Sequence, residues 1–464
     1  MNEFETKTLE TLAYELPDEI LKYRMCGDLA GAEAAIDRWL DRPVAEGLKA
    51  RLVLEKEFLA HLPKQFPYTK QQAIALFQDL IPDFGVADLE RLDRAGYAEW
   101  VFLNGEKHYI HNLVRNVLRV DEEIVKRMGE ADSEKEERVL LKATIADVKE
   151  KGRISERFRL RTSIRLEDGL FRPGMKVKVH LPIPAELHQI SDVKILAHSE
   201  GNVTIDQPDS LYRAICFEDT LQENREFFVE YEYTVTSVYH DFSGEDFLKA
   251  ENSLIRDETA HSLYTAEQYP HIRFSPYLKA LAAQIVGDEK EPLAIARKIY
   301  DYITAKVKYS YMREYFLIEE IPQYCARNLR GDCGVQALLF ITLCRICGVP
   351  AKWQSGLYAI PGSVGPHDWA MFYVEPYGWL YADPSFGGSA YRDGDEARRS
   401  FYFGNLDPFR MVANNAFQQP FASPKRFLPI DPYDNQIGEI ESEESGFGSR
   451  EVVTEQEMIW NEIL

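Results

Sequence analysis

The stretch RGDCGVQALLFITLCRICGVPAKW, residues 330 to 353, places a cysteine between a glycine-aspartate turn and the most apolar helical run in the chain. From Cys333 to Cys347 the strongly polar residues are Gln336, Thr342 and Arg345, so a helix there is apolar nearly all round and belongs inside its domain. Its N-terminus is the exception. Gly331 and Gly334 bracket the thiol with little bulk, so a substrate can come close to the backbone. Free amides and the positive end of the helix dipole fall where the sulfur would be, which is expected to stabilise a thiolate, lower the thiol pKa and hold an oxyanion. Cys333 is the candidate nucleophile.

A thiol nucleophile needs a base within reach, and imidazole suits that task near neutral pH. Of ten histidines only His367 lies beyond Cys333. It opens HDWAMFYVEPYGWLYADPSFGG, two aromatic, strand-like runs around a Glu375-Pro376-Tyr377-Gly378 turn, with Asp383 ending the second run just before Pro384. Asp383 is placed to orient the imidazole and stabilise its protonated form. Side chains alternate along a strand, so a loop with an odd number of residues puts His367 and Asp383 on one face, whereas a four-residue loop puts the carboxylate behind the sheet. The turn residues leave both open.

Gly331-Asp332-Cys333-Gly334, His367-Asp368-Trp369 and Ala382-Asp383-Pro384 resemble the three signature blocks of the transglutaminase-like superfamily, a branch of the papain-like cysteine enzymes. The resemblance covers about residues 270 to 410, about a third of the chain. It implies a cysteine opening a buried central helix, a histidine and an aspartate on neighbouring antiparallel strands, and Cys333, His367 and Asp383 as nucleophile, general base and acid, and orienting carboxylate. It also implies a second oxyanion donor upstream of the cysteine, for which Tyr309 and Tyr311 in KVKYSYM are the candidates. Gln336, one turn into the helix, is a candidate for serving the site, with a backbone-tied amide as the structural alternative. Trp369 is expected as a wall of the cleft or as core.

The β-rich segment ahead of this block is similar to the sandwich that often precedes bacterial members. RFRLRTSIRL, GMKVKVHLPIP and EFFVEYEYTVTSVYH alternate apolar with polar residues between Pro and Gly turns, which predicts a small antiparallel β-sandwich over 153–245. Before it, the charge-dense run at 131–152 reads as a solvated linker helix. Residues 1–130 read mostly as helices, with Leu48, Leu52, Leu54, Phe58 and Leu59 near helical spacing in one of them. Within that region a helix, a helix and two strand-like runs about Asn104-Gly105 imitate a winged helix. Asp83, Asp88, Glu90 and Asp93 on its would-be reading helix favour a packing or protein-partner module over a DNA reader. Residues 246–464 are expected to form the catalytic domain, ending in a polar C-terminal hairpin as a β extension. The fold class is therefore α+β and multidomain: a helical N-terminal region, an antiparallel β-sandwich and a papain-like, transglutaminase-like catalytic domain.

Composition narrows the function. With 45% hydrophobic and 28% charged residues the chain is globular, and no stretch approaches the roughly 18 to 20 apolar residues of a membrane span. The balance of 54 basic against 76 acidic residues, a net charge of −22, repels phosphate backbones and anionic lipid, so neither nucleic acid nor membrane is an expected partner. Six scattered cysteines and an acidic N-terminus point to a reducing, cytoplasmic setting. Cys344 and Cys347 lack a second pair at zinc spacing, and Asp393, Asp395 and Glu396 lack an alternating ligand loop, so no metal or cofactor is expected. The expected activity is thiol-dependent acyl transfer on a protein or peptide substrate, with amide or peptide hydrolysis ahead of amine transfer. A non-catalytic binding protein on the same fold is the alternative class.

Overall fold

The computed structural model describes residues 7–128, 135–242 and 262–464. The proposed domain boundaries at 130/131 and 245/246 lie outside them. The N-terminal region packs helices Asp18–Cys26, Leu29–Leu40 and Glu46–Gln65 around Ile20, Ala32, Ile36, Leu52 and Leu59. The winged-helix-like unit follows, with strand β1 (Tyr68–Thr69), helices Lys70–Gln78 and Val86–Ala95, and a hairpin of β2 (Trp100–Leu103) and β3 (Glu106–Tyr109), in sheet order β1-β3-β2. Asn104 and Gly105 turn the hairpin with φ of 51° and 82°, the left-handed pair a two-residue turn requires.

Two four-stranded antiparallel sheets form the sandwich. Its strands are β4 (Arg153–Leu166), β5 (Met175–Pro182), β6 (Ile190–His198), β7 (Asn202–Ile205), β8 (Ala214–Leu221) and β9 (Phe227–Val238), of which β4 and β9 alternate as the sequence predicts. Short parallel strands β10 (Lys308–Tyr309) and β11 (Arg330–Gly331) then pair, with Tyr309 opposite Gly331. The sheet of the expected catalytic domain consists of β12 (Ala351–Ile360), β13 (Ser363–Val374), β14 (Gly378–Ala382), β15 (Phe403–Gly404) and β16 (Arg410–Asn414), in the order β15-β14-β13-β12-β16. The last strands, β17 (Glu439–Ser442) and β18 (Val452–Ile463), do not form the expected hairpin on the catalytic domain. β17 pairs with β5 and β18 with β4, completing the two sandwich sheets as β17-β5-β8-β7 and β18-β4-β9-β6. The unpaired edges of β4 and β5 are the physical reason: each needs a partner for its backbone hydrogen bonds.

The helix Cys333–Ile346 is buried at every position but its last. Helices Pro276–Val286, Pro292–Lys306 and Ile321–Asn328 cover one side and the catalytic sheet the other, with Phe340 meeting Phe372 of β13 at 5.7 Å. Ser275 caps the first of those helices, its side chain accepting from the Leu278 amide, with Pro276 following it. Sandwich and catalytic sheets share one continuous core rather than two. The helix Lys135–Lys151 joins it too: Leu141, Ile145 and Val148 form a buried stripe, so this segment is not the wholly solvated linker its charge density suggests.

Gly356 of β12 lies opposite His367, and a Cβ added there would come within 2.1 Å of the Met411 carbonyl oxygen on β16. Gly356→Ala should therefore destabilise the protein by about 3 kcal/mol, the upper range for overpacking, seen as a lower urea midpoint. An unchanged midpoint would show that the β12–β16 contact yields freely.

Candidate active site

The β13–β14 connection decides the register left open by the sequence. Val374 pairs with Gly378, leaving a three-residue loop, and Ala370 pairs with Ala382. Odd-numbered residues of the two strands thus share a face. His367 Nε2 and Asp383 Oδ2 lie 2.7 Å apart, with the two residues 5% and 0% exposed. Asp383 caps the helix Pro384–Arg392 through Oδ1, which accepts from the Phe386 amide and from Ser385 Oγ at 3.0 Å each. Its Oδ2 also accepts from Arg410 Nη2 at 3.1 Å. Arg410, fully buried, pairs in addition with Asp407, and the rings of Phe386 and Tyr358 flank its guanidinium at 4.3 and 4.7 Å. Burial pushes the Asp383 carboxyl up, but His367 and Arg410 outweigh it and hold the group below its usual range. Burial also drives the His367 pKa down, against the pull of Asp383, so the imidazole is neutral at pH 7. Nε2 being committed to Asp383, Nδ1 is the ring nitrogen left for another partner.

Cys333 opens the central helix. Asp332 is the N-cap of this helix, and its Oδ1 accepts from the Val335 amide at 3.1 Å. The same carboxylate accepts from the Tyr315 hydroxyl. The thiol donates to Asp368 Oδ2 at 3.3 Å, and the Asp368 amide faces the sulfur. Because β14 pairs no further along β13 than Ala370, the stretch carrying His367 and Asp368 is unpaired on that side, and the sulfur sits at their peptide link. No hydrogen bond joins Cys333 to His367. Burial first, then the charges of Asp368 and Asp332, push the thiol well above its usual pKa. This reverses the lowered value expected from the helix dipole: a buried aspartate cap brings negative charge to the dipole's positive end.

A cavity of about 290 Å³ opens at Cys333. Tyr309 and Tyr311 both line it, their rings edge to face at 5.4 Å. Burial first, then the Cys333 charge, push the Tyr309 phenol well above its usual range, so it stays protonated and able to donate. Gln336 does not line the cavity; its Nε2 donates to the Gly331 carbonyl at 2.8 Å. Nor does Trp369, which is fully buried and donates to Gln354, a link to Gln189 of the sandwich. The sequence reading missed Asp332, Asp368, Tyr315, Arg410, Asp431 and Asp434. Asp332 and Asp368 stand next to the two motif residues, where the signal was present; Asp431 and Asp434 arrive from a distant segment.

Residues 279–384 match the family model described as the transglutaminase-like superfamily, a span that contains Cys333, His367 and Asp383. That span is a transglutaminase-like domain. Among solved structures it is similar to a proposed cysteine protease from Cytophaga hutchinsonii, at 14% identity and a TM-score of 0.42 over 67% of this chain and 91% of that one. It is also similar to the periplasmic domain of TgpA from Pseudomonas aeruginosa, at 13% identity and a TM-score of 0.27 over 55% and 95%. No curated protein matches the sequence.

Burial first, then Asp332 and Asp431, push the Asp368 carboxyl up to about 8. Above that pH its charge opposes ionisation of the neighbouring thiol. At pH 9, Asp368→Asn should accelerate iodoacetamide labelling of Cys333 by about tenfold, read by peptide mass spectrometry; an equal or slower rate would refute the coupling. A raised carboxyl pKa contributes stability that is present in acid and lost as pH climbs through the folded value. Wild type should consequently lose stability relative to Asp368→Asn between pH 5 and 8.5, measured by urea unfolding at each pH.

Proposed function

We infer that this protein is a cysteine-dependent acyl-transfer enzyme that hydrolyses amide or peptide bonds. The buried His367–Asp383 hydrogen bond, backed by Arg410, carries this reading, because it fixes one ring nitrogen and leaves Nδ1 for the thiol of the same matched domain. His367 takes the Cys333 proton as sulfur attacks the substrate carbonyl, and the oxyanion draws hydrogen bonds from the Tyr309 hydroxyl. Collapse of the intermediate breaks the carbonyl–nitrogen bond, and His367 delivers the proton to the departing amine. Water activated by His367 then cleaves the thioester and regenerates the thiol. The neutral imidazole suits this order, since a base must arrive unprotonated. Cleavage requires the thiol to leave Asp368 for Nδ1, a shift of hydrogen-bond partner at one peptide link. Six free cysteines, none paired, support a reducing compartment.

Amine transfer in place of hydrolysis is the nearest alternative. A binding protein that retains the fold is favoured by one observation, the thiol's hydrogen bond to a carboxyl instead of to imidazole. Wild type, Cys333→Ala, His367→Ala and Asp383→Asn incubated with a peptide library, with and without a primary amine, separate these readings by product mass. Cleavage or deamidation lost entirely in Cys333→Ala, and reduced about 10³-fold or more in His367→Ala, is the expected outcome. Amine incorporation selects transamidation, and no product from wild type selects the binding protein.

A further inference from the structure

We propose that the cavity at Cys333 binds an organic cation carried by the substrate, a guanidinium or ammonium side chain adjoining the acyl group to be transferred. Asp332, Asp368, Asp431 and Asp434 all line this one cavity with the thiol. Among the described residues none of the four pairs with a lysine or arginine. The nearby cations are engaged elsewhere, Lys425 with Glu439 at 3.0 Å and Arg313 with Glu99. Asp434 is 2% exposed, its carboxyl lying beside Asp368, Ser355 and Trp353, and its Oδ2 is buried without a well-formed hydrogen bond. An unpartnered carboxylate oxygen in such a place costs free energy unless a proton or an external cation meets it. Among the described residues no group of three or more His, Cys, Asp or Glu side chains is arranged to hold a metal ion, so the geometry favours an organic cation. The cavity has the volume of a side chain, and a planar guanidinium offers enough donors to reach both Asp434 and Asp368.

The site also answers how a thiol held by a carboxyl becomes reactive. A cation seated against Asp368 competes for the oxygen that accepts the Cys333 hydrogen bond and, as the carboxyl gives up its proton, offsets the charge that would disfavour the thiolate. Entry of the cation is balanced by departure of a proton, since the carboxyls of Asp368 and Asp434 both sit above their usual range, burial being the main cause. Facing them are Cys333, the Tyr309, Tyr311 and Tyr315 phenols, Arg313, Glu314, Glu439 and the His111 imidazole, which burial pushes down.

This inference rests on Cys333 being the acyl-transfer nucleophile, but its test does not. Full-length Cys333→Ala is titrated calorimetrically with arginine amide and with its neutral isostere citrulline amide at pH 7, in Tris and in phosphate. Expected are binding of arginine amide at least about tenfold tighter than of citrulline amide, and buffer-dependent heat equal to release of about one proton. Asp434→Asn should weaken arginine amide about tenfold. Equal binding of the two amides, no binding of arginine amide at about 10 mM, or no proton release overturns the proposal. The comparison of two ligands on one protein stands even if Asp434→Asn does not fold. Cation binding without any peptide turnover would sink the enzyme reading and keep the site; turnover indifferent to basic residues, with no binding, would do the reverse.

Discussion

A helix that is apolar on every side must be wrapped on every side, and the segment Cys333–Ile346 imposes that on its domain. Three helices close one flank and the middle of a five-stranded sheet closes the other. Once the barrel of the helix is enclosed, its first turn is where polar chemistry can gather, and Cys333 occupies it. The parallel pairing of β10 with β11 brings Tyr309 to that turn, and the free stretch of β13 brings His367 and Asp368. Geometry that looks designed around a sulfur is in large part a consequence of hiding fourteen residues from water.

Two polar systems meet at this point. On one side Asp383, His367 and Arg410 form a chain in which each charge has a partner. On the other, four aspartates share a cavity in which, among the described residues, none of them pairs with a lysine or arginine. Burial acts on both, yet it leaves the first set with a depressed carboxyl and the second with raised ones, because Arg410 is present in one and absent from the other. The thiol sits on the border and takes the character of the acidic side. The helix dipole is worth about 2 kcal/mol at most at such a site, too little to prevail against burial and two neighbouring carboxyls.

Local pattern made much of this legible. The period-two alternation of RFRLRTSIRL and EFFVEYEYTVTSVYH gave strands because one face of each is core, and the all-round apolarity after Cys333 gave a buried helix because nothing else can be done with it. The signature residues could be assigned in order along the chain, while the direction of the thiol pKa could not, since it depends on which side chains crowd the sulfur. Asp332 and Asp368 were in plain view but carry no local mark of burial. Asp431 and Asp434 reach the cavity through a segment with no regular structure, which leaves no periodicity to read. The stripe of Leu141, Ile145 and Val148 was masked by the charges around it, and β17 and β18 look like edge strands because, within their own sequence, they are.

The return of the chain to the sandwich has a temporal side. β5 waits for Glu439–Ser442 and β4 for Val452–Ile463, so the strands made first are finished by those made last, with the whole catalytic sheet threaded between. Asp434 and Gln436, which touch the site, lie on the path from β16 to β17. A ribosome releasing this chain from its amino end delivers Asp434 and Gln436 just ahead of β17, so the ordering of the reactive centre is tied to the closing of a distant seam.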